Sequence, residues 1–151
     1  MFSQSLQNLL SKIGVEIERK IPKEIFSERE QRIISLYQNA GYKSVPREVV
    51  LFFCYFNGQQ ISHRGHITEF NLEHLMKYFP KSQTEYAEKI LEKQIFPLGT
   101  TKSGWYDLFS DESGAVYAFH IEGDELILYG ENPFVALQNI LQNTPLERKR
   151  I

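Results

Sequence analysis

The chain has 151 residues, 42% apolar and 24% charged, with nine glycines and six prolines, the profile of a single globular domain that buries roughly 70% of its unfolded surface without cross-links. One cysteine, Cys54, excludes an internal disulfide framework and a zinc ribbon. Met1 to Leu10 lack the features of a secretory signal, and the apolar run Val49 to Tyr55 falls well short of the roughly 20 residues of a membrane span, so a soluble, cytoplasmic protein is expected.

Leu6, Leu9, Leu10 and Ile13 form an i, i+3, i+4, i+7 stripe that Gly14 ends, which predicts an opening helix. Val15, Ile17, Arg19 and Ile21 suit a short strand or an extended connection. Ser27 and Glu30 have capping-box spacing, which places a helix start at Ser27 ahead of Ile33, Leu36, Tyr37 and Ala40. Pro46 then opens a helix carrying Val49, Phe52, Phe53 and Phe56 up to Asn57-Gly58.

Residues 59–69 read as a strand followed by a loop at His63-Arg64-Gly65-His66. Asn71 caps a short helix with Leu72, Leu75, Met76 and Phe79 on one side, and Pro80 stops it. A second capping box, Ser82 and Glu85, precedes Tyr86, Ala87, Ile90 and Leu91.

From Ile95 the period changes to that of strands: Ile95–Leu98, Trp105–Phe109, Ala115–Ile121 and Leu126–Tyr129, separated by glycine-containing turns. Asn132-Pro133 starts a last helix with Phe134, Leu137, Ile140 and Leu141 inward, and Leu146 to Ile151 reads as a frayed charged tail. The expected fold class is α+β, with helices packed on one face of an antiparallel β-meander.

No phosphate loop, nucleophile elbow or His-Glu-x-x-His pattern occurs, so no catalytic or cofactor-binding residue is assigned. Cys54, among apolar neighbours, reads as inert packing, and His120, with no carboxylate identified beside it, reads as structural. A metal enzyme built on His63, His66 and His74 is a minor alternative, because Gly65 argues against the helix that would align the first two. Weak overall charge disfavours nucleic acid as a partner.

One charge feature stands out. Residues 103–131 hold seven acids and no Lys or Arg: Asp107, Asp111, Glu112, Glu122, Asp124, Glu125 and Glu131. With Trp105, Tyr106 and Tyr129, they suggest an acidic rim beside aromatic anchors that captures a basic protein partner. The bland alternative is that these charges merely keep turns and strand ends soluble.

The order and spacing of several pieces resemble the SUKH superfamily of immunity proteins (the Smi/Knr-like fold), and within it the third subfamily. The pieces are Leu36-x4-Gly41-Tyr42, Val50 through Gly58, Ile95-Phe96-Pro97-Leu98-Gly99, Gly114-Ala115-Val116-Tyr117, and Leu128-Tyr129-Gly130 followed by Phe134-Val135-Ala136-Leu137. The resemblance covers about residues 28–141 of a single domain, 1–151, with a helical extension over about 1–22. Where the family commonly has two glycines after an aromatic residue, this chain has Asn57-Gly58; asparagine also tolerates a left-handed backbone.

The resemblance implies an α+β fold and a bacterial protein that binds a cognate toxin domain, often a nuclease or deaminase, and blocks it without catalysis. No toxin-binding residue carries over from it. The partner-binding set Trp105, Asp107, Asp111, Glu112, Glu122, Asp124, Glu125 and Glu131 rests on the acidic stretch and its aromatic neighbour, not on the resemblance. A scaffold or regulatory module with the same fold and no toxin partner is the alternative.

Overall fold

The computed structural model describes residues 3–78, 81 and 84–151. Helix α1, Gln4–Lys12, is capped by the Ser3 side chain, which accepts from the Leu6 N–H, and it buries Leu6 and Leu10. These side chains join the main core, so the N-terminal helix is part of the packed unit. The connection over 15–22 has no regular secondary structure and lies outside the sheet.

Helix α2, Lys23–Asn39, begins four residues before the expected Ser27 start, with Pro22 at its N-cap. The local capping signal lost to packing. The added turn brings Phe26 edge-on to Tyr55, with ring centroids 6.0 Å apart. Helix α3, Arg47–Phe56, follows Pro46 and buries Val49, Phe52, Phe53 and Phe56 as expected. Asn57 does not adopt the left-handed turn: its backbone is extended (φ −61°, ψ 130°), and its side chain accepts from the Leu72 N–H at 2.9 Å.

The expected loop after residue 62 is instead the tip of a hairpin. Strands β1, Gln59–His63, and β2, His66–Phe70, pair antiparallel, with His63 opposite His66. Arg64 (φ 48°) and Gly65 (φ 75°) make the two-residue turn, both left-handed as a tight hairpin of native twist demands. Helix α4, Leu72–Tyr78, starts where the Asn71 side chain accepts from the His74 N–H. Phe79, Pro80 and Ser82, all assigned roles in the sequence reading, lie outside the described residues.

After helix α5, Glu85–Leu91, come β3, Ile95–Thr101, β4, Tyr106–Asp111, β5, Val116–His120, and β6, Glu125–Gly130. Helix α6, Pro133–Gln142, has the Asn132 cap and first-turn proline that its sequence specified. The charged tail is ordered: β7, Glu147–Arg150, pairs antiparallel with β6. Its charges suit an exposed edge, where they discourage further strand addition.

The seven strands follow chain order, β1 to β7, all antiparallel. Strands β2 and β3 approach closely at Gly99, where a side chain would start 2.1 Å from the Glu69 carbonyl oxygen. On one face lies the main core, where Phe52 stacks on Phe56 at 4.6 Å and meets Phe70 and Phe134 edge-on. The opposite face carries a smaller cluster, Ala87 of α5 with Ile95, Phe109, Phe119 and Leu126. Of the four apolar α5 residues expected inward, Ala87 is buried, while Tyr86 and Ile90 are exposed.

Candidate protein-binding surface

Antiparallel pairing sends successive turns of a meander to opposite ends of the sheet. The acidic stretch therefore divides. The start of β4, the end of β5 and the start of β6 meet at one end, with Tyr106 opposite His120. The end of β4 and the start of β5 meet at the other, roughly 17 Å away along a six-residue strand.

At the first end, left-handed residues Lys102 and Ser103 (φ 50° and 56°) turn the chain before Trp105, and the Ile121 N–H donates to the Trp105 carbonyl at 3.0 Å. Trp105 is 54% exposed, and its ring stacks nearly parallel on His120, 13° off plane with centroids 6.0 Å apart. Tyr106 meets the His120 ring edge-on, with centroids 5.0 Å apart. The His120 Nδ1 lies 3.0 Å from an Asp124 carboxylate oxygen.

His120, expected to stand without a carboxylate, thus has one in Asp124. Sequence offered a signal, since His120 and Asp124 flank a glycine-containing turn closed by the Gly123 N–H donating to the His120 carbonyl. Glu122 and Asp124 are exposed, whereas Glu125 accepts from the Tyr106 hydroxyl at 2.9 Å and from Arg148 at 3.1 Å. Burial, together with the bond to Glu125, pushes the Tyr106 hydroxyl up to about 12.

At the second end, Asp111 is buried and cannot meet a partner. Its carboxylate accepts from the Ser113 N–H at 2.8 Å, the Ser113 hydroxyl at 2.5 Å, the Ala115 N–H at 3.2 Å, the Tyr117 hydroxyl at 3.2 Å and Lys93 at 3.3 Å. Burial alone would raise its titration, but the Ser113 hydrogen bonds and Lys93 outweigh it and hold the carboxyl below the usual range. This acid builds the β4–β5 turn. Glu112 and Glu131 are exposed there. Glu48 joins them, its Oε2 within 4 Å of where a side chain at Gly114 would begin, a meeting that 65 intervening residues hide in the sequence.

Asp107 is near the first end along β4 but on the other face of the sheet from Tyr106. It stands on the smaller-core face, opposite Phe119 and Thr100 in register, half-buried and without a hydrogen-bond partner among the described residues. Burial pushes its carboxyl up to about 6. Tyr129, expected as an exposed anchor, is 1% exposed and belongs to the main core.

The three-histidine alternative does not assemble: His63 and His66 form the last pair of the hairpin, and His74 packs on Tyr78 at 4.5 Å on α4. Among the described residues, the group with ligand atoms within 4.8 Å of one another is His120, Glu122 and Asp124. Cys54 is buried, and burial raises its thiol to about 11, out of the reactive range.

An antiparallel seven-stranded meander with its main helical layer on one face defines an α+β protein of the class that the residue pattern resembled. The SUKH-3 immunity protein family model matches residues 2–143, and the chain belongs to that family. The match takes in α1 as well as the span over 28–141. No curated protein and no solved structure matches the chain at a significant level. Among the described residues no helix is long and apolar enough to cross a membrane.

Proposed function

We propose that this protein binds a cognate toxin domain in the bacterial cytoplasm and blocks it by occupancy, with no bond made or broken by its own side chains. Membership in an immunity family supports the class of function. The observation that carries the surface assignment is Trp105, a large aromatic side chain more than half exposed, with the His120 ring stacked against it and exposed Glu122 and Asp124 beside it.

An exposed tryptophan is the residue type that most often anchors a protein interface, and pre-ordering it lowers the entropic cost of docking. The flanking carboxylates suit a positively charged groove, such as a nuclease uses to hold phosphates, and they accelerate encounter. A nuclease domain is therefore the favoured partner.

The test is co-expression with the toxin encoded beside this protein, then co-purification of the pair. Rescue of growth by the parent and its loss with Trp105→Ala, at unchanged melting temperature, supports the proposal. Full rescue by Trp105→Ala together with Glu122→Lys and Asp124→Lys moves the interface elsewhere. Failure of the parent to bind or rescue overturns the immunity reading itself.

A further inference from the structure

On the main-core face, next to the Trp105 end but distinct from it, a cavity of about 220 Å³ opens between the β1–β2 hairpin tip, Thr101-Lys102 and the end of α6. Its charge is opposite to that of the acidic stretch. His63, Arg64, His66 and Lys102 line it, and no carboxylate does. Arg64 and Lys102 have no ion-pair partner among the described residues. Lys102 is packed over the Tyr106 ring at 5.0 Å, and burial and the nearby Arg148 push its ammonium below the usual range against the opposing pull of Glu125, which lies outside the cavity lining.

Two details separate this from a random gathering of bases. First, Nδ1 of His63 is buried with no hydrogen-bond partner, the one such side-chain atom among the described residues. The other ring nitrogen is fixed by Thr68 at 2.8 Å, and Thr68 by Thr101 at 2.8 Å, so the ring cannot turn to satisfy Nδ1 without breaking that chain. A buried polar atom left open in this way calls for a ligand group or water.

Second, the end of α6 would by itself disfavour an anion, because free carbonyls there carry partial negative charge. Three of its last four carbonyls are covered: Asn139 accepts from the Thr144 N–H, Ile140 from the Asn143 N–H, and Leu141 from Arg64 Nε at 3.1 Å. The Arg64 contact also locks the hairpin tip over the cavity. What remains facing the space is cationic or neutral.

We infer that this cavity is an oxyanion site that holds a phosphate group, either free phosphate or the terminal phosphate of a nucleotide whose remainder stays outside. Its volume is several times the roughly 30 Å³ of a water molecule, yet below the roughly 300–1,000 Å³ of pockets that enclose drug-sized ligands. The site takes the charged group and not the base. Lys102 and the Arg64 guanidinium supply the charge.

The experiment titrates inorganic phosphate into the full-length protein at constant ionic strength against chloride, following amide and imidazole NMR signals, and repeats it with Lys102→Gln, His66→Gln and a nucleoside 5′-monophosphate. Saturable shifts centred on His63, Lys102 and Thr101 are expected, with affinity weakened at least roughly tenfold in Lys102→Gln. Equal binding of phosphate and nucleotide identifies the free ion, and tighter nucleotide binding with the same sensitivity identifies the ester. The inference is overturned if phosphate gives no more than the chloride response, or if both folded variants bind as the parent does.

Discussion

The two ends of the meander carry the same kind of residue to different purposes. At the β4–β5 turn, Asp111 spends its whole acceptor capacity on its own chain, and the charge is invisible from outside. At the β5–β6 turn, Asp124 stays 53% exposed while touching His120, which in turn supports an exposed tryptophan. An acid in a turn is therefore not informative until its hydrogen bonds are counted. The donors decide: five converge on Asp111, whereas the β5–β6 turn leaves Glu122 and Asp124 facing water.

The sharpest way to break this contrast is Asp111→Ala. Removing the acceptor strands two backbone N–H groups and a half-exposed ammonium, so a loss of about 3 kcal/mol in urea unfolding at pH 7 is expected. Because the folded carboxyl titrates below the unfolded value, that contribution is fully present above the usual carboxylate range and fades as pH falls through the folded value. An Asp111→Ala variant as stable as the parent would remove the structural role assigned here.

Trp105→Ala comes next, with about 2 kcal/mol lost in toxin affinity, roughly thirtyfold, and no change in unfolding midpoint. Calorimetry with the purified toxin domain measures the first and thermal melting the second. An affinity loss matched by a loss of stability would instead make Trp105 structural.

Asp107→Asn tests the third environment. Its carboxyl titrates near 6 when folded, above the unfolded value, so the folded state is penalised increasingly as pH rises from about 4 through 6. The variant is expected to gain about 1 kcal/mol over the parent at pH 7.5 and nothing at pH 4. Unfolding curves at the two pH values check this, and a loss at pH 7.5 would reveal a partner for that carboxylate.

The smallest effect separates the ends by rate. Glu122→Lys with Asp124→Lys is expected to slow toxin association several-fold at low salt and to weaken its salt dependence. Glu112→Lys with Glu131→Lys should leave both nearly unchanged. Stopped-flow measurements at two ionic strengths discriminate, and equal slowing by both pairs would assign steering to the whole field of the protein.

Much of the fold was legible in the residues because its signals are local. Asn132-Pro133 starts α6 through a cap and a fixed φ, and Val49, Phe52, Phe53 and Phe56 mark the buried face of α3 by spacing alone. Where sequence misled, a distant partner had overridden a local preference. Ser27-x-x-Glu30 is a sound cap, but Phe26 reaching Tyr55 extends α2 past it. Glu147 to Arg150 has no apolar pattern of a strand, yet the open edge of β6 supplies the backbone partners that make it one.

The candidate site divides in the same way. The order of residues alone makes 103–131 acidic, sets aromatic residues among the acids and runs strands separated by short turns through them. Only the tertiary structure decided which of those acids share a place, since antiparallel pairing carries neighbouring turns to opposite ends of the sheet and strand alternation puts Asp107 on a different face from Tyr106. Burial and hydrogen bonding are properties of the assembled sheet, so no count of charges along the chain could distinguish Asp111, consumed inside a turn, from Asp124 beside an exposed tryptophan.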